Sequence, residues 1–293
     1  MQRKRPVKIA ITGATGALGR LVIDELLARG AVAEDLVALG RNPEKLAELA
    51  ALGVQTRTAD YNAPASLTTA LEGVDKLLLI SSSEVGSRTG QHENVINAAK
   101  QMNVSLVAYT SMAGAMASGM LLAQEHAATE QLLAASGLDY VLLRNGWYVE
   151  NYLDQLMGYL NSGVILGCAK DGKVSAAPRA DFAAAAAAVL LAAEDQAGRI
   201  YELGASRSFT LAQLAGALGA AAGQQVEYRD LDPQLLEDIY RQSGVDEQYA
   251  AILVDTDVKI SEGALEVAGN DLEQLIGRPT PSLGKLLKAA LAE

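Results

Sequence analysis

Three glycines near the front of the chain, Gly13, Gly16 and Gly19, stand at the spacing G-x-x-G-x-x-G within Thr12-Gly13-Ala14-Thr15-Gly16-Ala17-Leu18-Gly19. The chemistry this spacing serves is the binding of a pyrophosphate. Gly13 can make a tight turn that a β-carbon would hinder. Gly16 lets the backbone approach the pyrophosphate, and Gly19 lets a helix pack closely on a strand. The apolar run Val7 to Ile11 before the glycines reads as that strand, and Leu18, Val22 and Leu26 after them fall on one face of that helix. The helix N-terminus then offers free N–H groups and a positive dipole end to phosphate oxygens. A strand, glycine turn and helix in this order are what dinucleotide binding requires.

A second group of residues addresses which dinucleotide. The segment Asp35 to Gly40 reads as the next strand, and a site that prefers an unphosphorylated ribose places an Asp or Glu at its end. Here Arg41 follows Gly40, with Lys45 one turn further on. A planar fork of donors and a second cation suit a 2′-phosphate, so NADPH is expected over NADH.

The elements that must position these residues alternate along the chain. Further strands are expected at Val54 to Ala59, Val74 to Ile80, Val104 to Tyr109 and Leu138 to Leu143, with helices at Ser66 to Leu71, Gly90 to Met102 and Leu121 to Ala135. Strands alternating with helices over short connections predict an α/β fold with a doubly wound parallel sheet, a Rossmann fold. Ligands of such sheets lie beyond the carboxyl ends of the strands. From about Glu150 the alternation weakens. An alanine-rich helix over Ala176 to Ala193, capped by Asp181, precedes a strand over Gly198 to Gly204, and the remainder is mostly helical. The expected division is a cofactor-binding domain over 1–149 and a smaller substrate lobe over 150–293, with the segment about 180–204 returning to the first.

Composition narrows the class of partner. The net charge of -11 disfavours nucleic acid, whose phosphates are held by clustered Lys and Arg. The longest apolar run, Phe182 to Ala193, is far short of the ~20 residues that span a bilayer. The basic start at Arg3, Lys4 and Arg5 leads into a short apolar strand rather than a signal peptide. One cysteine, Cys168, forbids an intrachain disulfide, fits a reducing compartment and is expected to fill a small buried space. With His92 and His126 as the only histidines, no zinc-type ligand set is expected. A cytoplasmic protein with a small-molecule substrate is therefore expected; a homodimer is compatible with the sequence but not encoded in it.

The motifs together resemble the NmrA-like group of atypical short-chain dehydrogenases/reductases over essentially the whole length, through the glycine run, Arg41-Asn42-Pro43, Ala59-Asp60-Tyr61, Tyr109-Thr110-Ser111 and Gly277-Arg278-Pro279-Thr280. Two loops, Leu78 to Gly86 and Leu143 to Tyr148, resemble the bacterial NAD(P)H:quinone oxidoreductases of type 2; triphenylmethane dye reductases are similar but more distant there. The resemblance assigns Asp60 and Tyr61 to the adenine edge, Ile80, Ser81 and Ser82 to a ribose, and Thr110 and Ser111 to the nicotinamide ribose. It assigns Asn145, Gly146, Trp147 and Tyr148 to the nicotinamide and substrate. Capping suits Asp60 and Ser81 equally well, and core packing suits Trp147.

One departure bears on mechanism. Many short-chain dehydrogenases carry Tyr-x-x-x-Lys after strand five, but here Leu122 and His126 occupy those positions when aligned on Glu130. Reduction of a simple ketone needs an acid at the oxygen, whereas a quinone is electrophilic enough for proximity and orientation to suffice. Water, His126 or Tyr148 is the expected source of the proton, although a structural or ribose-contacting role suits His126 better than that of an acid. Trp147, Tyr148 and Tyr152 offer surfaces for a flat ring or, equally, a wall of the core. His92 is expected on the surface. The nicotinamide itself carries the hydride, so no flavin is implied. The expected function is an NADPH-dependent reductase of quinones or similar conjugated rings; an NADP(H)-binding redox sensor and a reductase of triarylmethane or azo dyes are the alternatives.

Overall fold

Short apolar runs between helices form the strands of a sheet. The computed structural model describes residues 6–292, so Arg3, Lys4 and Arg5 lie outside the described residues. In chain order the elements are β1 (Ile9–Ile11), α1 (Ala17–Ala28), β2 (Leu36–Gly40), α2 (Pro43–Ala50), β3 (Gln55–Thr58), α3 (Pro64–Ala70), β4 (Lys76–Leu79), α4 (Arg88–Gln101), β5 (Leu106–Met112), α5 (Leu121–Ser136) and β6 (Tyr140–Asn145). They continue with α6 (Glu150–Leu153), α7 (Leu156–Ser162), β7 (Val164–Gly167), β8 (Lys173–Val174), α8 (Arg179–Leu191), β9 (Ile200–Leu203), β10 (Phe209–Thr210) and α9 (Leu211–Ala222). The last elements are β11 (Glu227–Asp230), α10 (Pro233–Gln242), α11 (Glu247–Ser261), α12 (Asp271–Ile276) and α13 (Leu283–Ala290).

The seven-stranded sheet has the order β3-β2-β1-β4-β5-β6-β9. The six strands from β3 to β6 pair in parallel, with Ala10 of β1 opposite Val37 on one side and Leu77 on the other. Strands buried on both faces read as near-continuous apolar runs; β1, β2 and β5 are buried at every position, and Thr110 and Ser111 are the polar residues that interrupt the run in β5. The order of strand addition reverses between β1 and β4, the place where a doubly wound sheet opens a crevice at its carboxyl edge. Asn42 caps α2 by accepting the Lys45 N–H, with Pro43 in the first turn.

The chain forms two compact units. The first holds the described chain up to Met112, then Glu125–Asn145 and Arg179–Tyr201; the second holds Ala113–Gln124, Gly146–Pro178 and everything from Glu202 onward. Within the first, α8 packs on α1, and its run of alanines is buried. Within the second, β7 pairs in parallel with β11, β8 pairs antiparallel with β10, and Thr210 and Gln213 cap α9 reciprocally. Cys168 is buried beside Leu236 and Val254, and burial pushes its thiol up to about 12, so it fills space rather than reacting. Among the described residues no helix is long and apolar enough to cross a membrane.

Two sequence readings need correction here. The alanine-rich helix begins at Arg179, and Asp181 is a buried residue of its first turn rather than its cap. Pro178 disfavours helical backbone at Ala177, which instead bridges to Tyr148. The strand β5 runs on to Met112, so Thr110 and Ser111 lie within it and not beyond its end.

Candidate active site

The glycine turn is built as its spacing demands. Gly13 has φ +58°, a left-handed conformation that side chains disfavour. A β-carbon on Gly19 would stand 2.3 Å from the Gly13 carbonyl oxygen and 2.7 Å from Ala14 Cα, so only glycine lets α1 sit this close to the turn. Ala14 N–H donates to the Leu39 carbonyl at 3.0 Å, which ties the turn to β2. The N-cap of α1 is Gly16, with no side-chain cap and no acidic residue in the first turn. Its backbone donors and dipole end are thus left for an anion.

A cavity of about 410 Å³ opens over this turn. Gly13, Thr15, Gly16, Ala17, Leu18 and Gly19 form one wall, and Arg41 stands at the end of β2 and Lys45 in the first turn of α2. Asp60, Tyr61, Ile80, Ser81 and Ser82 complete it, together with Asn42, Ala59, Ser83, Glu84 and Gln91, which sequence reasoning did not assign. Ala14, by contrast, is fully buried behind the turn. Arg41 is largely exposed, and its Nη1 lies 3.2 Å from Glu84 Oε1. Asp60 Oδ1 accepts the Asn62 N–H at 2.9 Å, so the carboxylate shapes the turn into α3 as well as facing the cavity. The Tyr61 hydroxyl sits 2.6 Å from Thr12 Oγ1 and 2.8 Å from the Ile80 carbonyl, and desolvation holds its pKa far above the ordinary value.

The serine loop after β4 is held from beneath. Ser81 N–H donates to Thr110 Oγ1 at 2.9 Å, Ser82 N–H donates to His92 Nε2 at 3.0 Å, and Arg88 Nε donates to the Ser82 carbonyl at 2.7 Å. His92 is therefore no surface residue: it is fully buried on α4, and this corrects the sequence reading. Its protonation follows from its neighbours. Nε2 accepts, so Nδ1 carries the hydrogen and donates to Thr129 Oγ1 at 2.9 Å, whose own hydroxyl donates to the Glu125 carbonyl. Burial, and then the Arg88 charge, bring the His92 pKa down to about 3.

Thr110 and Ser111 do not line the cavity. Thr110 supports Ser81, and Ser111 donates to Glu130 Oε1 at 2.5 Å. Glu130 also takes a bidentate contact from Arg144, at 2.9 Å from Nε and 2.7 Å from Nη2. His126 is buried, with its Nδ1 hydrogen-bonded to Tyr109 Oη at 2.8 Å. Burial, Arg88 and His92 together hold its pKa down to about 3, so at neutral pH it is an uncharged ring. Burial thus disfavours an imidazolium acid at His126, one of the roles open to it from sequence. Asn145 ends β6 and is buried.

The loop that follows belongs to the second unit. There Gly146 N–H donates to the Leu203 carbonyl at 2.6 Å, and the Trp147 carbonyl accepts from Ala177 N–H at 3.1 Å. Trp147 and Tyr148 are half-buried. Tyr152 is buried and meets Phe209 edge-on at 6.0 Å, a wall of the unit's own core.

The strand order, the glycine turn and the crevice at the switch point define a dinucleotide-binding protein of the Rossmann type. The family model described as NAD(P)H-binding matches residues 13–193, and the chain belongs to that family. It is 49% identical over 277 residues to quinone oxidoreductase 2 of Escherichia coli, covering 94% of this chain and 96% of that one. The solved Escherichia coli NADPH-dependent quinone oxidoreductase complexed with NADPH superposes with a TM-score of 0.94 at 48% identity, over 97% of this chain and 99% of that one. Citrobacter sp. triphenylmethane reductase complexed with NADP(H) gives 0.91 at 36% identity, over 97% and 100%.

Proposed function

We propose that the protein is an NADPH-dependent oxidoreductase that reduces quinones. The observation that carries this reading is the pairing of two cation-bearing side chains, Arg41 and Lys45, with the uncapped start of α1 on one cavity. Phosphate oxygens are met there by backbone donors at one end and by a guanidinium fork at the other. The reading is supported by the relative whose printed name is quinone oxidoreductase and whose solved structure holds NADPH.

The cofactor, when bound, supplies a hydride from its nicotinamide, which with one proton from water turns a quinone into a hydroquinone. The chain's own part is to hold and orient. Ile80, Ser81 and Ser82 face a ribose on a loop whose backbone is fixed by Thr110, His92 and Arg88. Asp60 and Tyr61 take the adenine end. Asn145, Gly146, Trp147 and Tyr148 are assigned to the nicotinamide and the acceptor ring. No strong acid is required of the protein, because the acceptor is already electrophilic and the product aromatic. A reducing, cytoplasmic setting is the reading that the lone, buried Cys168 supports.

Mixing the protein with NADPH and benzoquinone while following the absorbance of the reduced nicotinamide tests the proposal. Saturable turnover above the buffer rate is expected. Tight NADPH binding without turnover would instead favour a redox sensor. A triarylmethane dye in place of the quinone ranks the second substrate class, which the Citrobacter likeness raises.

A further inference from the structure

Arg41 does not stand alone at the cavity mouth. Its Nη1 lies 3.2 Å from Glu84 Oε1, and both side chains line the same cavity. Glu84 is held in that position. Its Oε2 accepts from Gln91 Nε2 at 2.6 Å, and its backbone N–H donates to Ser82 Oγ at 3.1 Å. Gln91 is buried on α4, and its Nε2 also points at Asn62 Oδ1, 3.3 Å away. Only an amide NH2 can serve two such acceptors, so the orientation of Gln91 is fixed. A buried amide thus presents a carboxylate to the one guanidinium placed for a 2′-phosphate.

We infer that Glu84 sets the balance between the two nicotinamide dinucleotides, lowering affinity for the 2′-phosphorylated one and supporting the one with a free 2′-hydroxyl. The inference rests on the reading of Arg41 given above. A 2′-phosphate entering the fork competes with the carboxylate for Nη1 and faces it as a second anion. A bare ribose demands no such exchange. Its 2′-hydroxyl is a donor that a carboxylate accepts, while Arg41 keeps its partner. Lys45, also at the mouth, adds positive charge that favours the phosphate. Glu84 is therefore a specificity residue acting against its neighbours. With side chains 62% and 42% exposed, the Arg41–Glu84 pair is well solvated, so the effect is that of one surface ion pair, about two- to fivefold in affinity.

Calorimetric titration of NADP+ and NAD+ into wild type and Glu84→Gln tests this. The amide oxygen of the variant still accepts from Gln91, so the loop is retained while the charge is lost. The expected result is NADP+ binding tighter by about two- to fivefold, with NAD+ binding unchanged or weaker. Glu84→Ala, which removes the Gln91 bond as well, should move the ratio of the two dissociation constants in the same direction. The dissociation constant for NAD+ divided by that for NADP+ should rise in both variants; a quotient that stays the same or falls in both overturns the inference. Arg41→Ala separates this from the underlying reading: if it abolishes the preference for NADP+ while Glu84→Gln leaves the ratio unchanged, only the role of Glu84 falls. If Arg41→Ala keeps the preference, the 2′-phosphate assignment itself falls.

Discussion

On the proposed reading cofactor choice turns on Arg41, and its exposure makes it a clean target for substitution. It packs against no core, so replacing it should leave the fold intact. Arg41→Ala removes charge-assisted hydrogen bonds to a 2′-phosphate, worth about 1.5–3 kcal/mol, and should weaken NADPH binding by about ten- to a hundredfold. NADH binding should change by less than about twofold. Equal losses for both, measured by fluorescence titration, would contradict the assignment. Arg41 and the glycine run were readable from sequence because turn, strand end and helix start are consecutive, and local spacing reports local geometry. His92 was not readable for the opposite reason. Its burial depends on Thr129, 37 residues away, and on the backbone of Ser82. A polar residue on a helix of mixed composition looks like a solvated face until its partners are known.

At the scale of elements, the serine loop after β4 draws its shape from α4 and β5. His92→Leu fills similar space but leaves the half-buried Ser82 N–H without its acceptor, a cost of up to about 1–3 kcal/mol. The expected outcome is a lower melting temperature together with a raised KM for NADPH and a smaller change in kcat. A melting temperature and KM equal to wild type would show that the loop does not depend on this bond. The inner strands β1, β2, β4 and β5 of the main sheet were legible because burial on both faces leaves near-continuous apolar runs bounded by turns, whereas the edge strand β3 is polar and partly exposed. The short strands β7, β8 and β10 were not, since two to four residues are too few for a period to show. Alanine-rich composition extends the helix signal back to Ala176, but α8 starts at Arg179 because Pro178 disfavours helical backbone at the residue before it.

The whole molecule carries opposing proton linkages. His92 and His126 in the first unit have pKa values brought down to about 3, against about 6.5 in an unfolded chain. The stability they contribute is complete above about pH 6.5 and is lost as pH falls from there toward 3. In the second unit, burial, with nearby Asp230, raises Asp257 to about 6, although its carboxylate accepts the Cys168 N–H at 2.9 Å. The native state holds this proton more tightly than the unfolded chain, so the contribution falls as pH rises from about 4 to 6. Asp257→Asn should therefore raise stability at pH 7.5 by about 1–3 kcal/mol in urea melts, with the gain gone below about pH 4. A gain that persisted at pH 4 would point to packing rather than protonation. Threading of the chain has its own outcome. The polypeptide passes from one unit to the other after Met112, Gln124, Asn145, Pro178 and Tyr201. A fragment ending at residue 149 would lack α8, and with it the layer that covers α1. Such a fragment should be insoluble or molten by circular dichroism and take up no nucleotide. The nucleotide half of this protein is accordingly not a portable cassette: grafting it onto another reductase means transplanting three separate stretches of chain at once.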